Sequence, residues 1–324
     1  MDFIAPETVS LLKKGKNLLA FSGGVDSSAL FFILMKYEID FDIAIVDYQI
    51  RPQSSDEVDY AKYLAQQYEK MLFIGAVSLD KFSEGEARTV RYKFFSDIIE
   101  QNSYRNLITA HQLNDKLEWF FMQFSKGAGL LEISGMGEFE SRENYRIVRP
   151  LIEISKDQIL SYLEENNIKY FVDASNFDEQ YRRNYFRHNF SNKFLQNFEE
   201  GVRKSFQYLE TDRTLILNEN IEIFREEKLS YFESSQHDRV TLFYVDKILK
   251  KEGYLLSAKQ RDEIMFDREV VIGSEWVIAI TPFQTYICPH SQTSMPKEFK
   301  ERCRVRRIPN LIRPYLFDIG SSIC

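Results

Sequence analysis

Over the first 175 residues, short apolar runs alternate with segments of helical period. Leu18-Leu19-Ala20-Phe21 predicts a buried strand, and Ser28 to Lys36 a helix that is apolar on most sides. Asp42 to Asp47 predicts a second strand. From Ser54 to Lys70, Val58, Ala61, Leu64, Ala65 and Tyr68 fall at helical spacing, with Ser54 or Ser55 available as the N-cap. Met71 to Ala76 reads as a third strand, and Val90, Phe94, Phe95, Ile98 and Ile99 line one face of a helix between Ala87 and Gln101. Asn106 to Ala110 predicts a fourth strand, followed by a helix from about Asn114 to Lys126. A fifth strand, Tyr145 to Val148, is stopped by Pro150, and Ser155 to Asn166 is another helix. This alternation implies βαβ units around a largely parallel, buried sheet, an α/β nucleotide-binding architecture.

The pattern changes near residue 190. Long helical stretches follow, roughly 191–228 and 237–251. Val270-Val271-Ile272 and Trp276 to Ile280 then predict a hairpin across Gly273-Ser274-Glu275, and the chain ends in a basic stretch. With 324 residues, two or three domains are expected. The change of pattern divides the chain into residues 1–190, a mostly helical part at 191–265, and a small basic α+β segment at 266–324.

Composition narrows the class. Hydrophobic residues at 44% and charged residues at 28% are ordinary for a soluble globular chain. The 27 Phe and 18 Tyr are read mainly as core, although base-stacking surfaces could use a few. No run approaches the roughly 18 to 20 apolar residues of a membrane span. Met1 to Pro6 has no basic region leading into an apolar one, so a cytoplasmic protein without a membrane partner is expected. Cys288, Cys303 and Cys324 all lie late and form no CxxC, which fits a reducing compartment and argues against a disulfide framework or a zinc site. The net charge of −7 means that a polyanionic partner must meet a local basic surface.

The strongest chemical signal is Ser22-Gly23-Gly24-Val25-Asp26-Ser27, placed where the first strand turns into a helix. In a parallel sheet that turn lies at the carboxyl edge, where ligands bind. Two glycines let backbone amides approach an anion closely, the following helix adds its unpaired N–H groups, and Ser22 and Ser27 offer hydroxyls. Asp26 has the wrong sign for a bare phosphate and makes sense as a ligand of Mg²⁺ that itself bridges phosphate oxygens. There is neither a GxxxxGK[ST] loop nor a GxGxxG after a strand.

SGGVDS resembles the phosphate (PP) loop of the ATP-pyrophosphatase superfamily, whose members cleave ATP to AMP and pyrophosphate while activating a carbonyl as an adenylate. Further segments are similar to those of the tRNA(Ile)-lysidine synthetases, in family order over roughly residues 15–190. Glu86-Ala87-Arg88 with Arg91-Tyr92 resembles EARxxRY, and Thr109 to Glu118 resembles TAHHxxDxxET. Lys126 to Met136 resembles RGxGxxGLxGM, and Arg149-Pro150-Leu151 matches RPL. Asp173-Ala174-Ser175-Asn176 with Arg183 to His188 resembles DxSN followed by RNxxRH. This chain departs from the pattern at Gln112, Asn114 and Trp119, and Asp47 to Arg51 follows NHGLR only loosely.

The resemblance implies a PP-loop fold of the adenine nucleotide α-hydrolase-like kind, with ATP and Mg²⁺ as cofactors. Its reaction adenylates the C2 oxygen of the wobble cytidine of a CAU-anticodon tRNA(Ile), after which free L-lysine displaces AMP to give lysidine. It further implies that residues 22–27 hold pyrophosphate and that Asp26 and Asp115 ligate Mg²⁺. Arg183 would neutralise the α-phosphate or contact the tRNA backbone. Arg51, Arg88, Arg91, His111, Glu118, Asp173, Asn176, Arg187 and His188 are the further substrate-contact candidates, and a homodimer is an open option. A basic cluster at Arg182, Arg183, Arg187, His188 and Lys193 could meet tRNA, as could the tail from Lys297 to Arg313. In the tail Arg302, Arg304 and Arg306 would share one side of a strand. No cysteine before residue 288 can carry sulfur, which sets the thiolase branch aside. Two other readings compete: a PP-loop synthetase acting on a small carbonyl substrate, and an inactive tRNA-binding homologue.

Overall fold

The computed structural model describes residues 2–48, 53–77, 84–172, 182–217 and 221–323, so Arg51, Asp173 and Asn176 lie outside the described residues. The chain divides into two compact units, residues 1–211 and 212–324.

The first unit begins with α1 (Pro6–Lys13), β1 (Asn17–Ala20), α2 (Val25–Lys36), β2 (Asp42–Asp47), α3 (Gln53–Gln67) and β3 (Leu72–Ala76). It continues with α4 (Glu84–Asn102), β4 (Asn106–Ile108), α5 (Leu113–Phe124), the single-turn α6 (Leu130–Ile133), β5 (Phe139–Ser141), β6 (Arg146–Val148) and α7 (Lys156–Glu165). After α8 (Arg182–Phe186) comes a π-helical turn at Arg187–Ser191 and then α9 (Asn192–Ile216). The sheet order is β3-β2-β1-β4-β6-β5, parallel except for the antiparallel edge strand β5. β5 has no apolar signature, being held mainly by its pairing with β6, and sequence patterning does not predict it.

Adjacent residues of these strands enter opposite cores, as the two-residue period of a strand requires. Leu19, Ile43, Ile45, Ile108 and Val148 pack with Phe31 and Leu34 of α2 and with Ile159 and Leu163 of α7. Their neighbours Leu18, Ala44, Leu107 and Ile147 pack on the other face with Phe95, Ile98 and Ile99 of α4. Burial on both faces explains why the strands read as continuous apolar runs rather than alternating ones. Strand order reverses between β1 and β4, which pair directly through Leu18 with Leu107 and Leu19 with Ile108. The crevice beyond their carboxyl ends is the topological switch point of the sheet.

Residues 192–211 belong to this first unit, not to a separate helical part beginning near 191. The reason is packing: Leu195, Val202 and Phe206 of α9 bury themselves against Leu113 and Leu117 of α5. The second unit also differs from the helical reading of 191–265. It contains β7 (Phe224–Glu226), β8 (Leu229–Glu233), α10 (Asp238–Lys251), α11 (Ala258–Asp267), β9 (Glu269–Ile272), β10 (Trp276–Ile280), β11 (Gln284–Pro289), α12 (Lys297–Val305) and α13 (Arg313–Asp318). Its five strands form an antiparallel sheet in the order β7-β8-β11-β10-β9. β7 and β8 escape a reading by periodicity because they are only three and five residues long and neither repeats an alternating pattern.

The predicted hairpin of β9 and β10 is present, turned by Gly273 and Ser274 at φ of 61° and 60°. The basic tail is not a strand. Phe299 and Cys303, four residues apart, are both buried against Val277 and Leu316, and that spacing makes Lys297–Val305 a helix. Arg302, Arg304 and Arg306 therefore do not share one side. Arg304 is paired with Glu301, and Arg306 donates to the carbonyls of Ser322 and Ile323. Cys288 carries a free buried thiol. Among the described residues no helix is long and apolar enough to cross a membrane.

Phe206 is 4% exposed and lies beneath the Lys116 ammonium, 4.9 Å from its ring centroid. Phe206→Ala is expected to cost about 3 kcal/mol of unfolding free energy in a urea titration. A loss below 1 kcal/mol would show that α9 does not depend on this contact with α5.

Candidate functional site

The turn from β1 into α2 is organised by its own side chains. The Ser22 amide donates to Ser27 Oγ at 3.2 Å, and the two hydroxyls lie 3.0 Å apart. Ser27 Oγ donates to the Gly24 carbonyl at 3.2 Å, and Ser28 Oγ to that of Gly23 at 3.1 Å. Gly23 has φ of 72°, the left-handed region that a side chain resists, so glycine is required there. Gly24 is in ordinary extended conformation, so backbone strain does not explain it. Its missing side chain leaves the first turn of α2 open to a ligand. From behind, the Phe171 amide donates to the Gly23 carbonyl at 2.9 Å. This bond ties the loop to the chain that leads into Asp173.

Asp26 is the second residue of α2. Both of its carboxylate oxygens accept from Lys156 Nζ, at 2.8 Å each. Burial pushes the Asp26 carboxyl above its ordinary value; the Lys156 charge opposes this and the nearby charge of Asp115 adds to it. The two carboxylates proposed from sequence to share an ion are thus electrostatic neighbours.

Asp115 opens α5 beyond β4. One oxygen accepts from the Gln112 amide at 3.0 Å in a capping box, and the other from Arg183 Nη2 at 2.5 Å. Burial would raise this carboxyl, but Arg183, His111, Arg187 and the Gln112 amide outweigh it and hold it at about 2. Glu118, one turn on, is fully buried. It accepts from Arg183 Nε at 2.9 Å and from Arg187 Nε at 2.7 Å. Burial first, then Asp115, pushes Glu118 up. Enclosed in this way, Glu118 holds two arginines in place and is not itself presented to a substrate.

The departures from the family pattern have structural roles. Gln112 is the N-cap of α5, its Oε1 accepting from the Asn114 amide at 2.5 Å. Asn114 Oδ1 accepts from the Lys156 amide at 3.1 Å, and Nδ2 donates to Asn192 Oδ1 at 2.8 Å. One neutral amide thereby joins α5, α7 and α9, a task for which a carboxylate lacks a donor. Trp119 donates from its indole to the Glu132 carbonyl at 3.2 Å.

His111 Nδ1 lies 2.9 Å from Thr109 Oγ1. Burial, reinforced by the charges of Arg149, Arg183 and Arg88 against that of Asp115, lowers the imidazole to about 3 and keeps it neutral. Arg88 is exposed on α4, 4.7 Å over the ring of Tyr92, and Arg91 sits near Tyr48, whose hydroxyl donates to the Ala87 carbonyl. Arg149, of the RPL segment, is 3% exposed and bonded to the Gly137 carbonyl and Glu140, a structural role. His188 is half-buried in the π-helical turn that carries Arg187.

Asp26, His111, Asp115, Glu118, Arg183 and Arg187 are thus brought together at the ends of the two switch-point strands. Lys156 was not singled out from sequence. The available signal was electrostatic: a lysine at the first position of a helix faces the positive end of the dipole, an unfavourable place without an anion opposite.

A PP-loop domain family model matches residues 3–194. The chain is 44% identical to the tRNA(Ile)-lysidine synthase of Campylobacter jejuni (strain RM1221), over 97% of this chain and 96% of that protein. It is 40% identical to the tRNA(Ile)-lysidine synthase of Helicobacter pylori (strain ATCC 700392 / 26695), over 94% and 90%. The chain belongs to the tRNA(Ile)-lysidine synthase family. Its match to these relatives runs nearly end to end, so the second unit is shared with them as well as the ATP-binding PP-loop domain. A U34-tRNA thiolase, NcsA from Methanococcus maripaludis, is similar at 17% identity and a TM-score of 0.49, over 63% of this chain and 78% of that one.

The low value for His111 predicts a specific pH dependence. An unfolded histidine takes up a proton near pH 6.5, while the folded one resists until about pH 3, so His111 favours the folded state above pH 6.5. That contribution is lost as pH falls from 6.5 towards 3. The slope of Tm against pH over this window should flatten in His111→Asn; an unchanged slope would mean that His111 titrates normally in the folded protein.

Proposed function

We infer that this chain is an ATP-dependent ligase that converts the wobble cytidine of CAU-anticodon tRNA(Ile) to lysidine. The observation that supports this most is the pairing of a phosphate loop with a carboxylate–guanidinium cluster beyond the end of the neighbouring strand, in a chain that matches lysidine synthases nearly end to end. The C2 oxygen of the cytidine attacks the α-phosphorus of ATP, and the bond to pyrophosphate breaks. The ε-amine of free L-lysine then attacks C2, and AMP leaves with the oxygen. Both steps depend on alignment and on stabilising the charge that develops on phosphate.

The loop from Ser22 to Ser27 binds pyrophosphate through the open first turn of α2. Arg183 is fixed from behind by Asp115 and Glu118, so it keeps its orientation when the α-phosphate gains charge. Asp115, ionised down to about pH 2, draws the amino group of lysine towards the site, and that amine sheds its proton to solvent before it attacks C2. Neutral His111, exposed Arg88, half-buried Arg91, and Arg187 and His188 line the approach of the tRNA; Arg51, Asp173 and Asn176 join them in the family pattern.

Asp26 and Asp115 fit a divalent cation by donor chemistry: two carboxylates close enough for one charge to raise the other's pKa, beside a phosphate site. Mg²⁺ there would supply charge neutralisation on the departing pyrophosphate. Among the described residues no group of three or more His, Cys, Asp or Glu is arranged to hold a metal ion by itself, and Mg²⁺ normally completes its shell with phosphate oxygens and water. The substrates place the reaction in the cytoplasm, and a homodimer is compatible with this reading.

Asp26→Ala is expected to reduce lysidine formation at least a thousandfold while tRNA affinity stays within about threefold. Release of pyrophosphate should require tRNA(Ile), and release beyond one equivalent per tRNA should require lysine as well. Equal turnover on methionine tRNA, which shares the CAU anticodon, would exclude lysidine synthesis. ATP cleavage without RNA would favour a small carbonyl substrate, and tRNA binding without any turnover an inactive homologue.

A further inference from the structure

We propose that Lys156 is a phosphate-binding residue of the ATP site: its ammonium, which closes on both oxygens of Asp26, also serves as the counterion of the pyrophosphate portion of ATP. The inference rests on the reading of residues 22–27 as the pyrophosphate loop.

Three observations carry it. The first is position. Lys156 Nζ lies 2.8 Å from both oxygens of Asp26, which stands in the first turn of the helix whose amides face the phosphates. An anion bound at that helix end is therefore within reach of a four-carbon side chain that needs only small rotations.

The second is the contrast between a fixed backbone and an adjustable head group. The Lys156 amide is held by Asn114 Oδ1 at 3.1 Å, and Asn114 by Asn192 at 2.8 Å. Ser155 before it takes part in a capping arrangement in which its amide donates to Gln158 Oε1 at 3.0 Å. The Lys156 side chain is nonetheless 31% exposed, so its ammonium is anchored at the root and open at the tip.

The third is electrostatic economy. A lysine at the first position of α7 opposes the helix dipole, and an aspartate in the first turn of α2 opposes a triphosphate. Each misplaced charge is explained by the other and by an anion placed between them. Asp26 keeps the ammonium at the site, and phosphate competes with Asp26 for it. Lysine suits this role because its ammonium is a compact point charge that changes partners without a preferred fork geometry.

Binding of inorganic pyrophosphate to the full-length protein, measured by titration calorimetry in EDTA, tests this without turnover or metal. The wild-type chain should bind it measurably. Lys156→Met should weaken binding about tenfold or more, as for loss of one charged hydrogen bond, and Lys156→Arg should restore a large part. Affinity for tRNA should stay unchanged in both. Asp26→Asn, which removes the competitor and its repulsion, should tighten metal-free pyrophosphate binding, and this outcome is readable even where Lys156→Met fails to fold. No binding by the wild type, Lys156→Met within twofold of it, or Asp26→Asn unchanged or weaker would each overturn the proposal and leave Lys156 as the partner of Asp26 alone. A chain that makes no lysidine but shows these shifts would sink the lysidine reading only. A chain that makes lysidine without them would sink this one only.

Discussion

Glu118 carries a carboxylate with no solvent exposure, and the arrangement of the site depends on how that charge is compensated. A lone buried carboxylate costs several kcal/mol, and removing one partner from a buried pair typically costs about 3–5 kcal/mol. Here the compensation comes from Arg183 and Arg187, more than sixty positions later in the chain. The pairing fastens the segment that begins at Arg182 over the end of α5. It also presents the guanidinium of Arg183 to Asp115 at a fixed angle, and the hydrophobic contact of α9 with α5 closes the same arrangement from the far side.

The same logic explains the residues that break the family pattern. Positions near a buried charge network must be satisfied as donors and acceptors, not merely filled. Asn114 accepts from one neighbour and donates to another, and Gln112 caps the helix while leaving Asp115 one oxygen for Arg183. The departures are therefore consistent with an intact site. They alter which groups carry hydrogen bonds without adding or removing a charge at Asp26, Asp115 or Arg183.

The second unit follows a different rule. Its antiparallel sheet is buried on both faces, by α10 and α11 on one side and by α12 and α13 on the other. Covering both faces takes four helices from a short stretch of chain and leaves little of the sheet to solvent. Arg304, Arg306 and Arg313 of the tail are each bonded within the unit, yet Arg304 and Arg306 remain exposed beside Lys297, Lys300, Arg302 and Arg307.

Local chemistry determined a good deal by itself. The two-sided apolar strands, the helices that follow them and the left-handed turn at Gly23 each depend on neighbours a few residues apart, so pattern alone located them. The phosphate loop and the absence of an early thiol were legible for the same reason, and with them the ATP-dependent, nitrogen-transferring character of the family. Long-range pairing was decided only in the folded chain. Nothing near Lys156 in sequence announces Asp26, 130 positions away, and nothing near Glu118 announces Arg187. β8 is a strand because β11 offers it hydrogen-bond partners, and β7 because β8 in turn offers them to it, not because their residues alternate. Charge compensation and sheet pairing are satisfied by whichever group the fold brings close, and that proximity is a property of the tertiary structure alone.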